Sequence, residues 1–265
     1  MKIRFQRKYL CIPYFLFLIL FIILPILFII YYAFTDGNGN FTRDALIDFF
    51  TNTNKLNVLL MSLMFSMLNT IVCLLIGYPI AYILSNSKLN KNATIVMLFV
   101  MPMWINFVLR TWATRDVLNW IGLGGGDYPY LATMIGLVYN YLPFVILPLY
   151  NVMLKLDRQQ IEAALDLGCN RIQVFTKSII PQSIPGVVSA AMMVFMPTMS
   201  SYVISDVLSE GKVVLFGNSI YLSFSNNQWN IGSFISLFML LLVGISMLIS
   251  RNFTEKDDKK ESSRW

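Results

Sequence analysis

The sequence predicts an all-α membrane protein with six transmembrane helices, and composition and run length are the observations that predict it. Of the 265 residues, 57% are hydrophobic and only 13% are charged, which is more apolar surface than a single soluble core needs. A run that crosses a hydrocarbon layer of about 30 Å needs roughly 20 residues. Six such apolar runs occur, at 12–34, 58–85, 94–112, 131–154, 184–206 and 231–250.

The first run is predicted to be a retained span rather than a removable signal peptide. Four basic residues precede it, at positions 2, 4, 7 and 8, as they would in a signal peptide. The apolar part of a signal peptide is only about 7–15 residues long, and this run is longer and is followed by no small-residue cleavage site.

Lysine and arginine predict the orientation of the chain in the membrane. If the N-terminus is cytoplasmic, 15 of the 20 basic residues fall in inner segments and 5 in outer ones. This asymmetry follows the positive-inside rule, so both termini are predicted to be cytoplasmic. Residues 1–250 then form the six-span domain, and 251–265 form a polar cytoplasmic tail.

The residue types present argue against catalysis by this chain. There is no histidine, which removes the commonest general base and the commonest metal ligand. Gly211 and Lys212 lack the preceding glycine of a phosphate-binding loop, because Asp206 holds that position. We therefore expect no catalytic residue, no metal site and no cofactor. An ion-coupled transporter is also less favoured, since no ionisable residue lies clearly near the middle of a span.

Internal prolines in the first five runs predict bent helices, and polar residues predict where a path between them would run. In the fifth run, polar residues at three- and four-residue steps form one stripe if that run is a single helix. The third and fourth runs add polar and aromatic side chains. The predicted path residues are Asp206, Tyr202, Ser205, Ser201, Trp104, Asn106 and Tyr139.

These path residues also have ordinary structural interpretations. The hydroxyl groups of the fifth run would equally make hydrogen bonds between helices. Trp104 would serve as an interfacial anchor, and Arg110 would extend to the membrane surface or pair with Asp116.

The glycine run at 124–126, between the third and fourth spans, is predicted to be a flexible outer loop.

The segment 155–183 is predicted to be an ordered cytoplasmic loop between the fourth and fifth spans. Asp157 is placed to cap a short helix, and Gly168 is placed to end it. The small side chains of Ala163 and Ala164 would let the backbone of another protein approach closely.

This segment resembles the EAA loop of permease subunits of bacterial ABC importers, whose pattern is EAA-x3-G-x9-I-x-L-P. The matching residues are Glu162, Ala163, Ala164, Gly168 and Pro181. Ser178 stands where the family favours isoleucine, and Ile180 stands where it favours leucine. The resemblance implies the MetI-like type I importer fold, in which the loop docks as a coupling helix on a separate ATPase subunit.

Further stretches, "GYPIAY", "MPMWINFVLRTWA" and "SSYVISDVL", are similar to permeases for spermidine and putrescine. The resemblance implies a second related permease, two ATPase subunits that hold ATP and Mg, and an extracellular binding protein that delivers the polyamine. The predicted outer segments hold seven acidic and five basic residues, which favours a cation. Permeases for iron, thiamine or sulfate share the EAA loop and remain the alternative.

Overall fold

The chain folds into helices joined by short turns, as the sequence predicts. The computed structural model describes residues 11–36, 39–85 and 94–262, and within these ranges no strand is present. The basic residues Lys2, Arg4, Arg7 and Lys8 lie outside the described residues, as do Lys88, Lys91 and Arg264. In chain order the α-helices are α1 (Cys11–Leu18), α2 (Leu24–Ala33), α3 (Asp44–Thr51), α4 (Thr53–Leu84), α5 (Thr94–Val100), α6 (Phe107–Trp120), α7 (Pro129–Met153), α8 (Arg158–Asp166), α9 (Arg171–Val174), α10 (Ile180–Ser200), α11 (Val203–Ser209), α12 (Phe216–Ser225) and α13 (Trp229–Ser262).

All six predicted spans have a counterpart among these helices. Five helical segments are long and apolar enough to cross a membrane: Pro13–Ala33, Thr53–Leu84, Pro129–Met153, Arg171–Ser200 and Trp229–Ser250. The third span is a pair of helices, Thr94–Trp104 and Phe107–Trp120, bent by 96° at the break between them. The prediction of an all-α, six-span protein is confirmed.

The break in the third span has a local cause. Residues Met101–Trp104 form a 3-10 turn that contains Pro102, and Ile105 is extended. The side chain of Asn106 then accepts a hydrogen bond from the Val108 amide at 2.9 Å and so begins α6. The predicted end of this span at residue 112 is eight residues too early, because α6 continues to Trp120.

The fifth span differs from its predicted limits of 184–206 at both ends. It begins at Arg171, where Asn170 and Gln173 form a reciprocal capping box, so only 154–170 connects the spans. It ends at Ser200, because Ser201 is extended with ψ 126°, and α11 starts afterwards at Val203. The Tyr202 carbonyl accepts the Asp206 amide at 2.9 Å as α11 begins, and the side-chain nitrogen of Asn218 also donates to it at 3.4 Å.

The chain divides into two compact units, and each has its own apolar core. The first comprises the described residues up to Asn57 together with Ser219–Leu242. In its core, the buried ring of Phe49 lies 5.6 Å from that of Phe234 and 4.9 Å from that of Phe238.

The second unit comprises Val58–Asn218 and the chain from Val243 onward, and it contains the candidate site. One buried cluster joins α4, α7 and α10 around Ile146, and another joins α7 and α11 around Leu208. The side chain of Asn69 on α4 donates to the Thr198 hydroxyl on α10 at 2.8 Å, and both are fully buried. The Thr198 hydroxyl therefore makes a hydrogen bond between helices, as expected for a hydroxyl group with a structural role in the fifth run.

Candidate functional site: a cavity at the bent span and an exposed helical loop

A cavity of about 450 Å³ lies beside the break in the third span. Residues from the 3-10 turn, α6, α7 and α11 line it. They are Met103, Trp104, Ile105, Asn106, Phe107, Arg110, Asn140, Tyr141, Phe144 and Ile204. The break itself borders the cavity, since Ile105 and Asn106 both line it.

Arg110 is the charged residue among those that line the cavity, and it is only 7% exposed. Its Nε donates to the side-chain oxygen of Asn140 at 2.9 Å, and its Nη1 donates to the Pro102 carbonyl at 2.8 Å. Its guanidinium carbon lies 5.7 Å from the ring centroid of Tyr139. Within the described residues it makes no ion pair, so the predicted pairing with Asp116 is wrong.

Aromatic rings and amides form the rest of the polar and polarisable lining. Trp104 is 84% exposed, and Phe107, Tyr141 and Phe144 contribute three further rings. The hydroxyl of Tyr141 donates to the Pro197 carbonyl at 3.2 Å. The described lining therefore offers hydrogen-bond donors, amide oxygens and aromatic faces, but no carboxylate.

Two of the predicted path residues, Trp104 and Asn106, line the cavity, and Tyr139 stacks beside the arginine that lines it. Ser201 interacts with the lining residue Tyr141. Ser205 is fully buried, and its hydroxyl lies 2.7 Å from the side-chain oxygen of Asn218. Ser205 therefore bonds to another part of the protein, and its buried hydroxyl is not accessible to a substrate.

The predicted polar stripe along the fifth span is wrong as a single helical face, because the helix breaks at Ser201 and Tyr202. Tyr202 is 40% exposed, and Asp206 is exposed in the first turn of α11. In the part of the chain that the structure describes, the Asp206 carboxylate makes no hydrogen bond or ion pair. The guanidinium donors of Arg110 go to Asn140 and the Pro102 carbonyl, so Arg110 is not a partner of this carboxylate.

Asn140 is one of the polar residues of the fourth run, and its side-chain oxygen accepts a hydrogen bond from Arg110. Phe144, which also lines the cavity one helical turn further along α7, is not among the predicted path residues. An aromatic residue four positions after a polar one shares a helical face with it, and this signal would identify Phe144.

The connection 154–170, called the α8 loop below, contains the helix that the sequence predicted. The side chain of Asp157 accepts a hydrogen bond from the Gln159 amide at 2.9 Å, which confirms the predicted cap. Leu167 ends α8, and Gly168 follows with φ +82°, a left-handed conformation that glycine adopts without strain. Within the predicted loop of 155–183, the residues from 171 onward are helical and continuous with α10.

The residues that match the EAA pattern are mostly exposed, four of them in the α8 loop and one at the start of α10. Glu162, Ala163 and Gly168 are exposed, Ala164 is half-buried, and Pro181 is exposed in the first turn of α10. Two apolar side chains that the sequence analysis did not single out are also exposed. They are Leu167, at 86%, and Ile172, at 74%.

Comparison with known proteins agrees with this architecture. No family model matches the chain. A bacterial ABC transporter involved in the import of the acidic polysaccharide alginate has a similar chain, with a TM-score of 0.69, 14% identity and 94% coverage of both chains. The MetNI methionine ABC transporter gives a TM-score of 0.59 with 18% identity, over 76% of this chain and 94% of that one. The fold is therefore that of an ABC importer permease of the MetI-like type.

Relatives found by sequence show which group of importer permeases the chain resembles. The chain is 34% identical over 252 residues to the spermidine/putrescine transport system permease protein PotB of Haemophilus influenzae, and the match covers 88% of each protein. The chain belongs to the PotB family of spermidine/putrescine permease proteins, which confirms the resemblance seen in its sequence.

Proposed function

We propose that this chain is the permease subunit of an ATP-driven importer that moves polyamines such as spermidine and putrescine inward across the cytoplasmic membrane. The observation that carries this proposal is the 34% identity to a spermidine/putrescine permease over 88% of both chains. The asymmetry of lysine and arginine supports cytoplasmic termini, which puts the α8 loop on the cytoplasmic side.

The importer needs subunits beyond this chain. ATP and Mg belong to two partner ATPase subunits, and α8 is the element that docks on them. The exposure of Glu162 and Ala163 on α8, and of Leu167 and Ile172 after it, supports this role. A second related permease completes the membrane part, and an extracellular binding protein delivers the substrate.

Transport then proceeds by alternating access. ATP draws the ATPase subunits together, the docked α8 loops follow, and the bent spans open outward to accept the polyamine. Hydrolysis reverses the motion and opens the path inward. The right-angled break in the third span supports this role, because broken helices line substrate paths in membrane transporters.

The cavity offers two of the interactions that a polyamine needs. Rings such as Trp104, Tyr141 and Phe144 can hold ammonium groups by cation-π contact and can cover the methylene chain. The exposed carboxylate of Asp206, with Tyr202 four residues before it, is a further binding position along the route.

One observation favours a second candidate, a permease for an anionic solute such as sulfate. The charged residue in the described cavity lining is Arg110, and pores for anions use positive charge and hydrogen-bond donors. Iron and thiamine permeases share the EAA loop but gain no support from this cavity.

Competition for uptake separates these candidates. The complex is purified through a tag on this chain, placed in liposomes with its binding protein and supplied with ATP, and uptake of labelled spermidine is measured. We expect saturable uptake that excess putrescine reduces and that excess sulfate, ferric iron or thiamine leaves unchanged. Uptake of labelled sulfate instead of spermidine would establish the anion permease.

A further inference from the structure

Between the α8 loop and the body of the fifth span lies one turn of π-helix, Phe175–Ile179, flanked by α9 and α10. Single π-helical turns inside α-helices occur frequently at functional sites, because the inserted residue displaces the helix beyond it. This turn is therefore a place where movement of the loop can be redirected.

The first residue of the turn, Phe175, contacts a different span. Its ring centroid lies 5.7 Å from that of Tyr78 and 5.4 Å from that of Tyr82, at interplanar angles of 89° and 73°. Tyr78 and Tyr82 are four residues apart on α4 and so share one face of it. The edge-to-face arrangement of these three rings, called the aromatic clamp below, is a favoured geometry for aromatic contacts.

A hydrogen bond reinforces the clamp one turn further on. The hydroxyls of Tyr78 and Ser183 lie 2.7 Å apart, and Ser183 is fully buried. Since the Ser183 hydroxyl donates to the Ile180 carbonyl at 2.9 Å, the Tyr78 hydroxyl is the donor between the two. The π-turn and the start of α10 are thus both fastened to α4.

Gln182, in the first turn of α10, links the π-turn to the α8 loop. Its side-chain oxygen accepts from the Asp157 amide at 3.1 Å, at the residue that caps α8. Its side-chain nitrogen donates to the Ser178 hydroxyl at 3.1 Å, inside the π-turn. Ser178 is where the sequence departs from the isoleucine of the EAA pattern, and an isoleucine there could not accept this bond.

We propose that the aromatic clamp, with Gln182, transmits displacement of the α8 loop to α4, so that Phe175, Tyr78 and Tyr82 are positioning residues for coupling. This inference rests on the proposed function, since it gives the route by which a docked ATPase moves a span other than the one that follows its docking loop. A continuous series of packed rings and hydrogen bonds is the physical kind of route that such coupling requires.

The test compares Phe175→Ala and Phe175→Leu with Phe195→Ala, which removes a half-buried phenylalanine from α10 outside the clamp. Each variant complex is purified through a tag on this chain. Co-purification of the ATPase, ATP hydrolysis and spermidine uptake in liposomes are measured on the same sample. The wild-type complex tests the proposed function, and the ratio of uptake to hydrolysis tests the clamp.

For Phe175→Ala we expect normal co-purification of the ATPase and continued hydrolysis, with uptake per ATP hydrolysed reduced about tenfold, a typical size for coupling between sites. Phe175→Leu keeps an apolar side chain, so its uptake per ATP hydrolysed should fall by less. The double variant Phe175→Ala with Tyr82→Ala should lose little more uptake than either single variant, because both changes remove the same ring contact. An unchanged ratio in both Phe175 variants, or an equal loss in Phe195→Ala, would overturn the proposal, whereas a wild-type complex without spermidine uptake would overturn the proposed function.

Discussion

At the residue scale, Arg110 shows how a charged side chain is accommodated inside a span. A buried guanidinium without a carboxylate is unfavourable unless its donors find acceptors. Here the Asn140 amide oxygen and the Pro102 carbonyl accept, and the Tyr139 ring lies alongside. Because Pro102 precedes the break in the third span and Arg110 follows it, these bonds also hold the two halves of the bend in place.

Replacing this arginine should therefore destabilise the protein. Arg110→Met keeps a long side chain but removes both donors, and we expect a loss of about 2–4 kcal/mol because the Asn140 oxygen is left buried without its donor. Arg115→Met is the matched control, since Arg115 makes a partly exposed ion pair with Glu210 at 3.3 Å and should lose less than about 1 kcal/mol. Thermal unfolding in detergent measures both, and equal losses would contradict the role given to Arg110.

Asp206 gives the residue-scale prediction for substrate. Asp206→Asn keeps the size of the side chain and removes its charge, and losing a charge-assisted hydrogen bond costs about 1.5–3 kcal/mol, or roughly 10- to 100-fold in apparent affinity for spermidine. Since this exposed carboxylate makes no ion pair within the described residues, the level of the protein should not change. Asp127→Asn, at another exposed carboxylate, is the control. A spermidine titration with the same half-saturation point in Asp206→Asn and wild type would remove Asp206 from the path.

The cap and the end of α8 could be predicted because they depend on neighbours in sequence. Asp157 bonds to an amide two residues away, and Gly168 needs only its own freedom to adopt φ +82°. The function of Ser205 could not be predicted, because its partner Asn218 is distant in sequence and is brought near by the break in the fifth span. A polar residue in an apolar run shows that a partner exists and does not show which one.

At the element scale, the break between α10 and α11 was missed because hydrophobic periodicity continues through it. Ser201 and Tyr202 look like further positions of the same helix, but Ser201 is extended, and the side chain of Asn218, sixteen residues further on, bonds to the Tyr202 carbonyl. The predicted start of this span is also too late, although the capping box of Asn170 and Gln173 is a readable signal.

The glycine run between α6 and α7 was predicted to be a flexible loop, and the structure shows a close contact instead. Gly125 is buried against the backbone carbonyl of Leu208, so a β-carbon at this position would clash with backbone that cannot move aside. Gly126 is exposed, and a β-carbon there would meet only the Glu210 side chain, at 3.7 Å.

Alanine at these two positions should therefore have different effects. Gly125→Ala should lower the stability of the protein by about 1–3 kcal/mol, the usual cost of forcing an extra group into a packed interior. Gly126→Ala should change it by less than about 0.5 kcal/mol, as surface substitutions generally do. Thermal unfolding of the two variants in detergent compares them, and if Gly125→Ala unfolds like Gly126→Ala, the loop is not packed against α11 as described.

At the scale of the whole molecule, the fold was the most predictable property because the bilayer imposes it. Every backbone group inside a membrane needs a partner within the protein, so long apolar runs become helices and their number can be counted. The cavity was less predictable, since its volume depends on the angle at Ile105 and Asn106, and no local pattern specifies an angle of 96°.

The proposed function is that a partner ATPase, acting through the α8 loop, drives polyamine along a path in this chain. The most direct measurement is uptake of labelled spermidine by liposomes that contain the purified complex, with the membrane potential collapsed and ATP either present or depleted. Glu162→Lys and Gly168→Asp complexes serve as comparisons, since both changes lie on the exposed face of the loop and leave the buried core intact.

We expect uptake by the wild-type complex to persist without a membrane potential and to stop without ATP, because hydrolysis is the source of energy. The two variants should insert in the membrane normally but lose uptake, since their coupling to the ATPase is disrupted. Uptake that stops when the potential is collapsed while ATP is present, or normal uptake by both variants, would contradict the account.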